Sequence, residues 1–168
     1  MLRDQGIPFA VVGAAAMAVH GVARSTFDLD LLTSDPRPLG RPTWAALERQ
    51  GVKVDIRVGD LDDPLTGVAT FTTAGTTVVD LIIGRGAWQA AIVDRARPHS
   101  VEGVVVPVAT AGDLIALKLY AGGPQDAWDV EHLLQTGDRA ALGAAVEALL
   151  PSLPQDARSL WARIGRPR

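Results

Sequence analysis

Two acidic residues, Asp28 and Asp30, lie two positions apart in the run 27–32, which reads Phe-Asp-Leu-Asp-Leu-Leu. Because side chains alternate between the two faces of a strand, a strand here places both carboxylates on one face and the intervening apolar side chains on the other. Two like charges repel by about 1 kcal/mol at ~4 Å in water, and by about four times as much near a protein surface. The pair therefore predicts a nearby cation, either an arginine or a hard metal ion that prefers oxygen ligands.

A third acidic residue, Asp80, interrupts the apolar run 78–82, which reads Val-Val-Asp-Leu-Ile. A buried carboxylate without a partner is too costly to leave alone, so Asp80 is expected to share a site with other polar groups. Three carboxylates beside a bound phosphate suit a two-metal site, in which the ions activate an incoming hydroxyl and neutralise a leaving pyrophosphate. We therefore take Asp28, Asp30 and Asp80 as the candidate catalytic and metal-binding residues.

The pair Gly13-Ala14 follows an apolar run at 7–12 and begins an Ala-rich segment that ends near Gly21. A strand that turns directly into a helix presents free backbone N–H groups and the positive end of the helix dipole. This pattern predicts a site for an anion such as a phosphate, next to the strand that carries Asp28 and Asp30.

The remaining sequence predicts an α/β (α+β) domain in which a mixed central sheet is flanked by helices. Apolar runs bounded by turn residues predict strands at 7–12, 27–33, 52–58, 68–73, 76–83 and 104–108. Helices are predicted after Gly13 and at 43–50, 87–96, 111–120, 124–134 and 138–150, with Thr110 and Asp113 at capping-box spacing. We expect one domain over 1–168, with a sheet-containing core at 1–108 and C-terminal helices at 109–168.

Composition narrows the class of protein. The chain has 168 residues, a net charge of −3 and no cysteine, and four of its sixteen basic residues fall in the last eighteen positions. A wide basic face for duplex DNA is therefore not expected. The absence of cysteine excludes disulfides and Cys-ligated metals and fits a reducing, cytoplasmic compartment. No apolar run reaches the ~20 residues of a membrane helix.

In combination, these motifs resemble the signature of the polymerase-beta-type nucleotidyltransferase superfamily. Gly13-Ala14 is followed after thirteen residues by Asp28-Leu29-Asp30, with Asp80 on a later strand. The runs 24–30 (Arg-Ser-Thr-Phe-Asp-Leu-Asp), 113–118 (Asp-Leu-Ile-Ala-Leu-Lys) and 126–129 (Asp-Ala-Trp-Asp) resemble the small bacterial AbiEii-like branch, which includes abortive-infection toxins. The resemblance covers roughly residues 6 to 135.

The resemblance implies transfer of a nucleoside monophosphate from an NTP, such as ATP, to a hydroxyl acceptor in the presence of Mg²⁺ or Mn²⁺. Asp28 and Asp30 would hold metal, and Asp80 would help to activate the acceptor. The acceptor could be an RNA end such as tRNA, a protein hydroxyl or a small molecule, and a cognate antitoxin could be a partner. Nucleotide-binding residues would be Gly13, Ala14, Arg24, Ser25, Thr26 and Lys118.

Several alternatives remain open on sequence grounds. One is a two-metal phosphoesterase, since hydrolysis would need similar carboxylates. Asp28 and Asp30 could belong to a structural ion-pair network with Arg24 or Arg57. Lys118 could form a salt bridge with Asp126 or Asp129, or it could contact the triphosphate. Ala14 has no hydroxyl, so Ser25 or Thr26 would have to supply one. The chain could therefore also be a catalytically silent nucleotide- or partner-binding module of the same fold.

Overall fold

The structure, a computed structural model, describes residues 1–23, 28–60, 63, 65–75 and 77–165. Its strands are β1 (Ala10–Val11), β2 (Asp28–Thr33), β3 (Lys53–Val58), β4 (Leu65–Thr72), β5 (Val78–Gly84), β6 (Arg97–Val101) and β7 (Val104–Val108). Its α-helices are α1 (Gly13–Val19), α2 (Ala45–Arg49), α3 (Ala87–Arg95), α4 (Ala111–Ala121), α5 (Pro124–Thr136), α6 (Arg139–Leu149) and α7 (Gln155–Ile164). Within the described ranges, no helix is long and apolar enough to cross a membrane.

The strands whose ranges are given above form one mixed sheet in the order β3-β4-β5-β2-β1-β7-β6. β2 lies inside the sheet, parallel to β5 on one side and antiparallel to β1 on the other. The predicted mixed sheet flanked by helices is confirmed, and so is the expected neighbourhood of the first strand and the acidic strand. β2 therefore carries its two aspartates into the middle of the sheet.

Two predicted strands differ from the structure, since β1 is shorter than predicted and β4 begins at Leu65 rather than at Val68. One strand, β6, and one α-helix, α7, were not predicted. β1 is limited to two residues, because Pro8 lacks the N–H that a longer ladder would require. β6 carries mostly exposed side chains and has no alternating pattern, so the sequence gives no strand signal there. It forms because Glu102 and Gly103, both with positive φ, make the turn that lets β6 and β7 pair antiparallel. α7 buries Ala157, Leu160 and Trp161 in a stretch for which no helix was predicted.

α4 is the central helix of the C-terminal part, since it packs against α1, α5, α6 and α7. Its N-terminus is capped as the sequence predicts, with the backbone N–H of Asp113 donating to the Thr110 hydroxyl at 3.3 Å. The Arg95 guanidinium bonds the buried carboxylate of Asp113 at 2.5 Å, which ties α3 to α4. These contacts fix the position of α4, which carries Lys118.

On the far side of the sheet from Asp30 and Asp80, Trp44 packs against Phe71 of β4 with ring centroids 4.6 Å apart. The buried indole N–H of Trp44 donates to the carbonyl of Pro38 at 2.7 Å, so the polar atom of this core residue has a partner. Phe71 lies next to Thr70 in β4. The packing therefore holds the stretch of β4 that borders the candidate site.

Candidate functional site

Asp30 and Asp80 are direct partners in the parallel pairing of β2 with β5. Paired residues of neighbouring strands lie on the same sheet face, and their backbones are separated by about 4.8 Å. Both side chains are half-buried. The fold thus brings together two carboxylates that are fifty positions apart in sequence.

Asp28 lies one pleat earlier on the same face of β2, where its side chain is exposed. Asp28 is paired with Val78 on β5, so its carboxylate lies beside the Asp30–Asp80 pair but does not belong to the same row of paired residues. Arg57, one of the arginines proposed as a structural partner, instead bonds Asp55 with its Nε 3.5 Å from the carboxylate. Arg24, the other, lies outside the described residues, as do Ser25 and Thr26.

Burial and nearby negative charge both act on the pKa of the Asp30 carboxyl. Burial raises the pKa of the Asp30 carboxyl above its ordinary value of 3.8, and the negative charges of Asp80 and Asp28 raise this pKa further. The positive charge of Lys118 has a smaller, opposite effect on the same pKa. A divalent cation between the carboxylates would relieve this repulsion.

Gly13 lies directly against Asp30. Its φ of +61° is in the left-handed region, and a Cβ at this position would overlap Asp30 Oδ2 and lie 2.8 Å from its Cγ. The preceding amide, that of Val12, donates to the backbone carbonyl of Asp30 at 2.9 Å. A glycine is therefore required here both by the backbone conformation and by the close approach of the carboxylate.

Gly13 and Ala14 are the first two residues of α1, as the sequence predicts. The N-cap residue, Val12, makes no side-chain hydrogen bond to the first turn, because valine has no acceptor atom. α1 has seven residues, so a small helix dipole accompanies these amides. A phosphate contact at Gly13 and Ala14 remains a prediction.

Lys118 is held by two carboxylates on the next helix. Its Nζ lies 2.9 Å from Asp126 Oδ1 and 2.9 Å from Asp129 Oδ2, and Asp129 is fully buried. Burial lowers the pKa of Lys118, but the hydrogen bonds from Asp129 and Asp126 outweigh this effect and raise it above 10.5. The salt-bridge interpretation of Lys118 is therefore confirmed, while its charge remains close enough to Asp30 to influence that carboxyl.

The site also contains a residue that sequence reasoning missed. The Thr70 hydroxyl of β4 donates a hydrogen bond to Asp80 Oδ1 at 2.6 Å. Thr70 is the register partner of Asp80 in the antiparallel pairing of β4 with β5. Nothing in the run 65–72 distinguishes this threonine from its neighbours, because its role depends on the register between two strands.

Solved structures with a similar fold include the antibiotic-resistance factor ANT(2'')-Ia, at a TM-score of 0.54 and 16% identity over 96% of this chain and 88% of that chain. The chain has a nucleotidyltransferase fold. The lincosamide antibiotic adenylyltransferase LnuA matches at a TM-score of 0.49 and 11% identity, over 81% of this chain and 91% of its own. A nucleotidyltransferase-like protein from Paracoccidioides brasiliensis matches at a TM-score of 0.47 and 15% identity, over 96% of this chain and 81% of its own. No family model and no curated protein sequence matches this chain.

The carboxylate oxygens of Asp30 and Asp80 are the kind of ligand that a hard divalent cation such as Mg²⁺ prefers. Among the residues described, no three His, Cys, Asp or Glu side chains already converge to hold a metal ion. Mg²⁺ seldom uses a complete protein cage, however, and is usually bound by one or two carboxylates together with substrate phosphates. The adjacent carboxylates of Asp30 and Asp80, with Asp28 beside them, fit that arrangement.

A groove of about 890 Å³ lies mainly on the opposite face of the sheet. Its floor includes Leu29, Leu31 and Val79, which alternate with the carboxylates along β2 and β5. Asp28 and Ala14 border the groove, whereas Asp30 and Asp80 do not line it. The groove is thus separate from the Asp30–Asp80 pair.

Proposed function

We propose that the chain is a metal-dependent nucleotidyltransferase that moves a nucleoside monophosphate from an NTP to a hydroxyl acceptor. The proposal rests on one observation above all: Asp30 and Asp80 lie side by side on parallel strands, and Gly13 packs against Asp30. It is supported by the fold shared with ANT(2'')-Ia. It is also supported by the motif resemblance to the AbiEii-like branch.

The proposed reaction is a displacement at the α-phosphorus. The acceptor oxygen forms a bond to this phosphorus, the bond to the oxygen bridging the α- and β-phosphates breaks, and pyrophosphate leaves. The hydroxyl proton passes to Asp80, a general base positioned in the middle of the sheet. Gly13 leaves room for the Asp30 carboxylate, which a larger residue would displace.

Asp28, Asp30 and Asp80 would hold Mg²⁺ or Mn²⁺ together with the NTP phosphates. When bound, the metal would supply charge neutralisation at the phosphates and activation of the incoming hydroxyl. Before metal binds, burial raises the pKa of the Asp30 carboxyl, and the negative charges of Asp80 and Asp28 raise this pKa further. The protein's contribution is therefore to hold these carboxylates together against their mutual repulsion.

The acceptor is proposed among three classes of hydroxyl compound. A tRNA end or a protein hydroxyl follows from the toxin resemblance, which also makes a cognate antitoxin a candidate partner. A polyhydroxylated small molecule follows from the fold shared with an antibiotic-resistance factor. All three acceptors present a hydroxyl that a carboxylate base could activate, so one assay format covers them.

The experiment is a transfer assay with the purified full chain. Each of the four NTPs, labelled at the α-phosphate, is incubated with Mg²⁺ or Mn²⁺ and with tRNA, cell protein or an aminoglycoside. We expect label to appear in one acceptor class together with an equal amount of pyrophosphate, and EDTA to abolish the signal. No transfer with any combination of nucleotide, metal and acceptor would contradict the proposal.

A catalytically silent nucleotide-binding module is the second candidate. One observation favours it: Lys118, for which the sequence allows either a triphosphate contact or a salt bridge, is held by Asp126 and Asp129. Calorimetric titration with ATP and Mg²⁺, followed by several hours of incubation, separates the two functions. Saturable, metal-dependent binding without pyrophosphate release identifies the silent module, whereas release of pyrophosphate excludes it.

A further inference from the structure

We propose that Thr70 is a positioning residue for Asp80, whose hydroxyl holds one carboxylate oxygen and leaves the other for the acceptor. The inference rests on the proposed function, because it concerns the carboxylate that is proposed to take the acceptor's proton. It adds a residue that no sequence motif selects. Its basis is the order and register of four strands.

Four residues form a row across the sheet. Asp55 pairs with Thr70 between β3 and β4, Thr70 pairs with Asp80 between β4 and β5, and Asp80 pairs with Asp30 between β5 and β2. Residues paired in this way share one sheet face. Thr70 therefore flanks Asp80 on the side opposite to Asp30.

The contact between Thr70 and Asp80 is a strong one. Its O···O distance of 2.6 Å falls in the range of hydrogen bonds from a hydroxyl to an ionised carboxylate. A threonine hydroxyl has a single proton, so donating it to Oδ1 fixes the direction of the bond. Oδ1 is thereby engaged, and rotation of the carboxylate about its last bond is restricted.

The type of residue suits this role. A β-branched threonine in a strand has restricted χ1, so its hydroxyl is aimed before any substrate binds. β4 lies between β3 and β5, and neighbouring Phe71 packs against Trp44 on the other face. The Thr70 hydroxyl is thus carried by a strand that is paired on both edges and packed against Trp44 on its other face.

Two variants of Thr70 and one of Thr72 provide the test. Thr70→Val removes the hydroxyl at nearly constant volume and keeps a good strand former, whereas Thr70→Ser keeps the hydroxyl. Thr72→Val makes the same chemical change two positions along, on the same face of β4. Thermal unfolding of each variant checks that the sheet remains intact.

The kinetic measurement separates positioning from a structural role. We expect Thr70→Val to lower kcat by about 10- to 100-fold, as loss of a residue that orients a reactive group commonly does. Its KM for the nucleotide should change by less than about threefold. Thr70→Ser should restore most of kcat, and Thr72→Val should behave like the wild type. A wild-type kcat in Thr70→Val, or an equal loss in Thr70→Ser, would overturn the proposal.

Crystal structures of the wild type and of Thr70→Val test whether Thr70 fixes the Asp80 side chain, and this test does not require the protein to be active. We expect the Asp80 side chain of the variant to rotate by more than about 30° or to split into two conformers. An unchanged, single conformer would overturn the inference. If the wild-type chain transfers no nucleotide, the proposed function fails, while these structures still decide whether Thr70 holds Asp80.

Discussion

Asp30 and Asp80 lie opposite each other on neighbouring parallel strands, and burial together with adjacent negative charge raises the pKa of Asp30. A fold that keeps this pair at the middle of its sheet bears an electrostatic cost in the absence of a cation. Removing the charge of Asp30 should therefore raise the stability of the metal-free protein and weaken the proposed reaction, so that the two effects can be measured separately.

Asp30→Asn should stabilise the metal-free protein at neutral pH. The folded-state pKa of Asp30 lies above its ordinary 3.8, so the wild type loses stability as pH rises from 3.8 through the folded pKa. The asparagine does not titrate and avoids this loss. Urea unfolding at several pH values should show the advantage of the variant at pH 7 and its disappearance below 3.8.

The same variant should lose the stabilisation that ligand gives to the wild type. Addition of Mn²⁺ with a nonhydrolysable NTP should raise the wild-type Tm, because a ligand that binds only the folded state stabilises it. Asp30→Asn should show little or no increase. Equal increases in both proteins would place the ligand elsewhere.

Gly13→Ala should destabilise the protein far more than Gly6→Ala. Both glycines have φ of +61°, so both alanines incur about 1–2 kcal/mol for the left-handed conformation. A Cβ at Gly6 meets nothing within 4 Å, whereas a Cβ at Gly13 overlaps the Asp30 carboxylate. We expect a loss of more than about 3 kcal/mol at Gly13, measured by chemical denaturation. Equal losses at the two positions would contradict the close approach of Asp30.

Asp28→Asn should reduce nucleotide transfer by on the order of 10²- to 10³-fold, as loss of one charge-stabilising group at a reacting centre commonly does. Because the side chain of Asp28 is exposed, we expect Asp28→Asn to change the free energy of unfolding of the protein far less than it changes the transfer rate. Asp55→Asn is the matched control, because Asp55 is also an exposed aspartate but lies on β3, at the end of the row formed by Thr70, Asp80 and Asp30. The assay is the labelled-nucleotide transfer, and parallel losses in both variants would count against a specific role for Asp28.

Lys118→Met should lower the free energy of unfolding by about 3 kcal/mol, since it removes the ammonium that Asp126 and the buried Asp129 contact. The folded-state pKa of Lys118 is raised above 10.5, so its contribution is complete below that pH and is lost as pH rises through the folded pKa. Unfolding measured from pH 8 to 12 should show the two proteins converging at the alkaline end. Arg41→Met, which breaks an exposed pair with Glu48, should cost no more than about 1 kcal/mol.

Local patterns in the sequence were sufficient for the elements that carry the site. Strict alternation places Asp28 and Asp30 on one face of a strand, and a glycine after a short apolar run predicts the turn at 13. The spacing of Thr110 and Asp113 predicts the start of α4, which the structure confirms. β6 and α7 were missed, because β6 is defined by pairing with β7 and α7 by packing against α4 and α5.

The sequence by itself determined which residues share a strand face and where α1 and α4 begin, because these properties follow from backbone geometry over a few neighbouring residues. Only the tertiary structure decided that β5 lies beside β2 with Asp80 level with Asp30, that Thr70 is bonded to Asp80, and that Lys118 is held by Asp126 and Asp129. Strand order and register depend on contacts between segments far apart in the chain. A shift of one residue between β4 and β5 would move Thr70 away from Asp80 while leaving every local pattern unchanged.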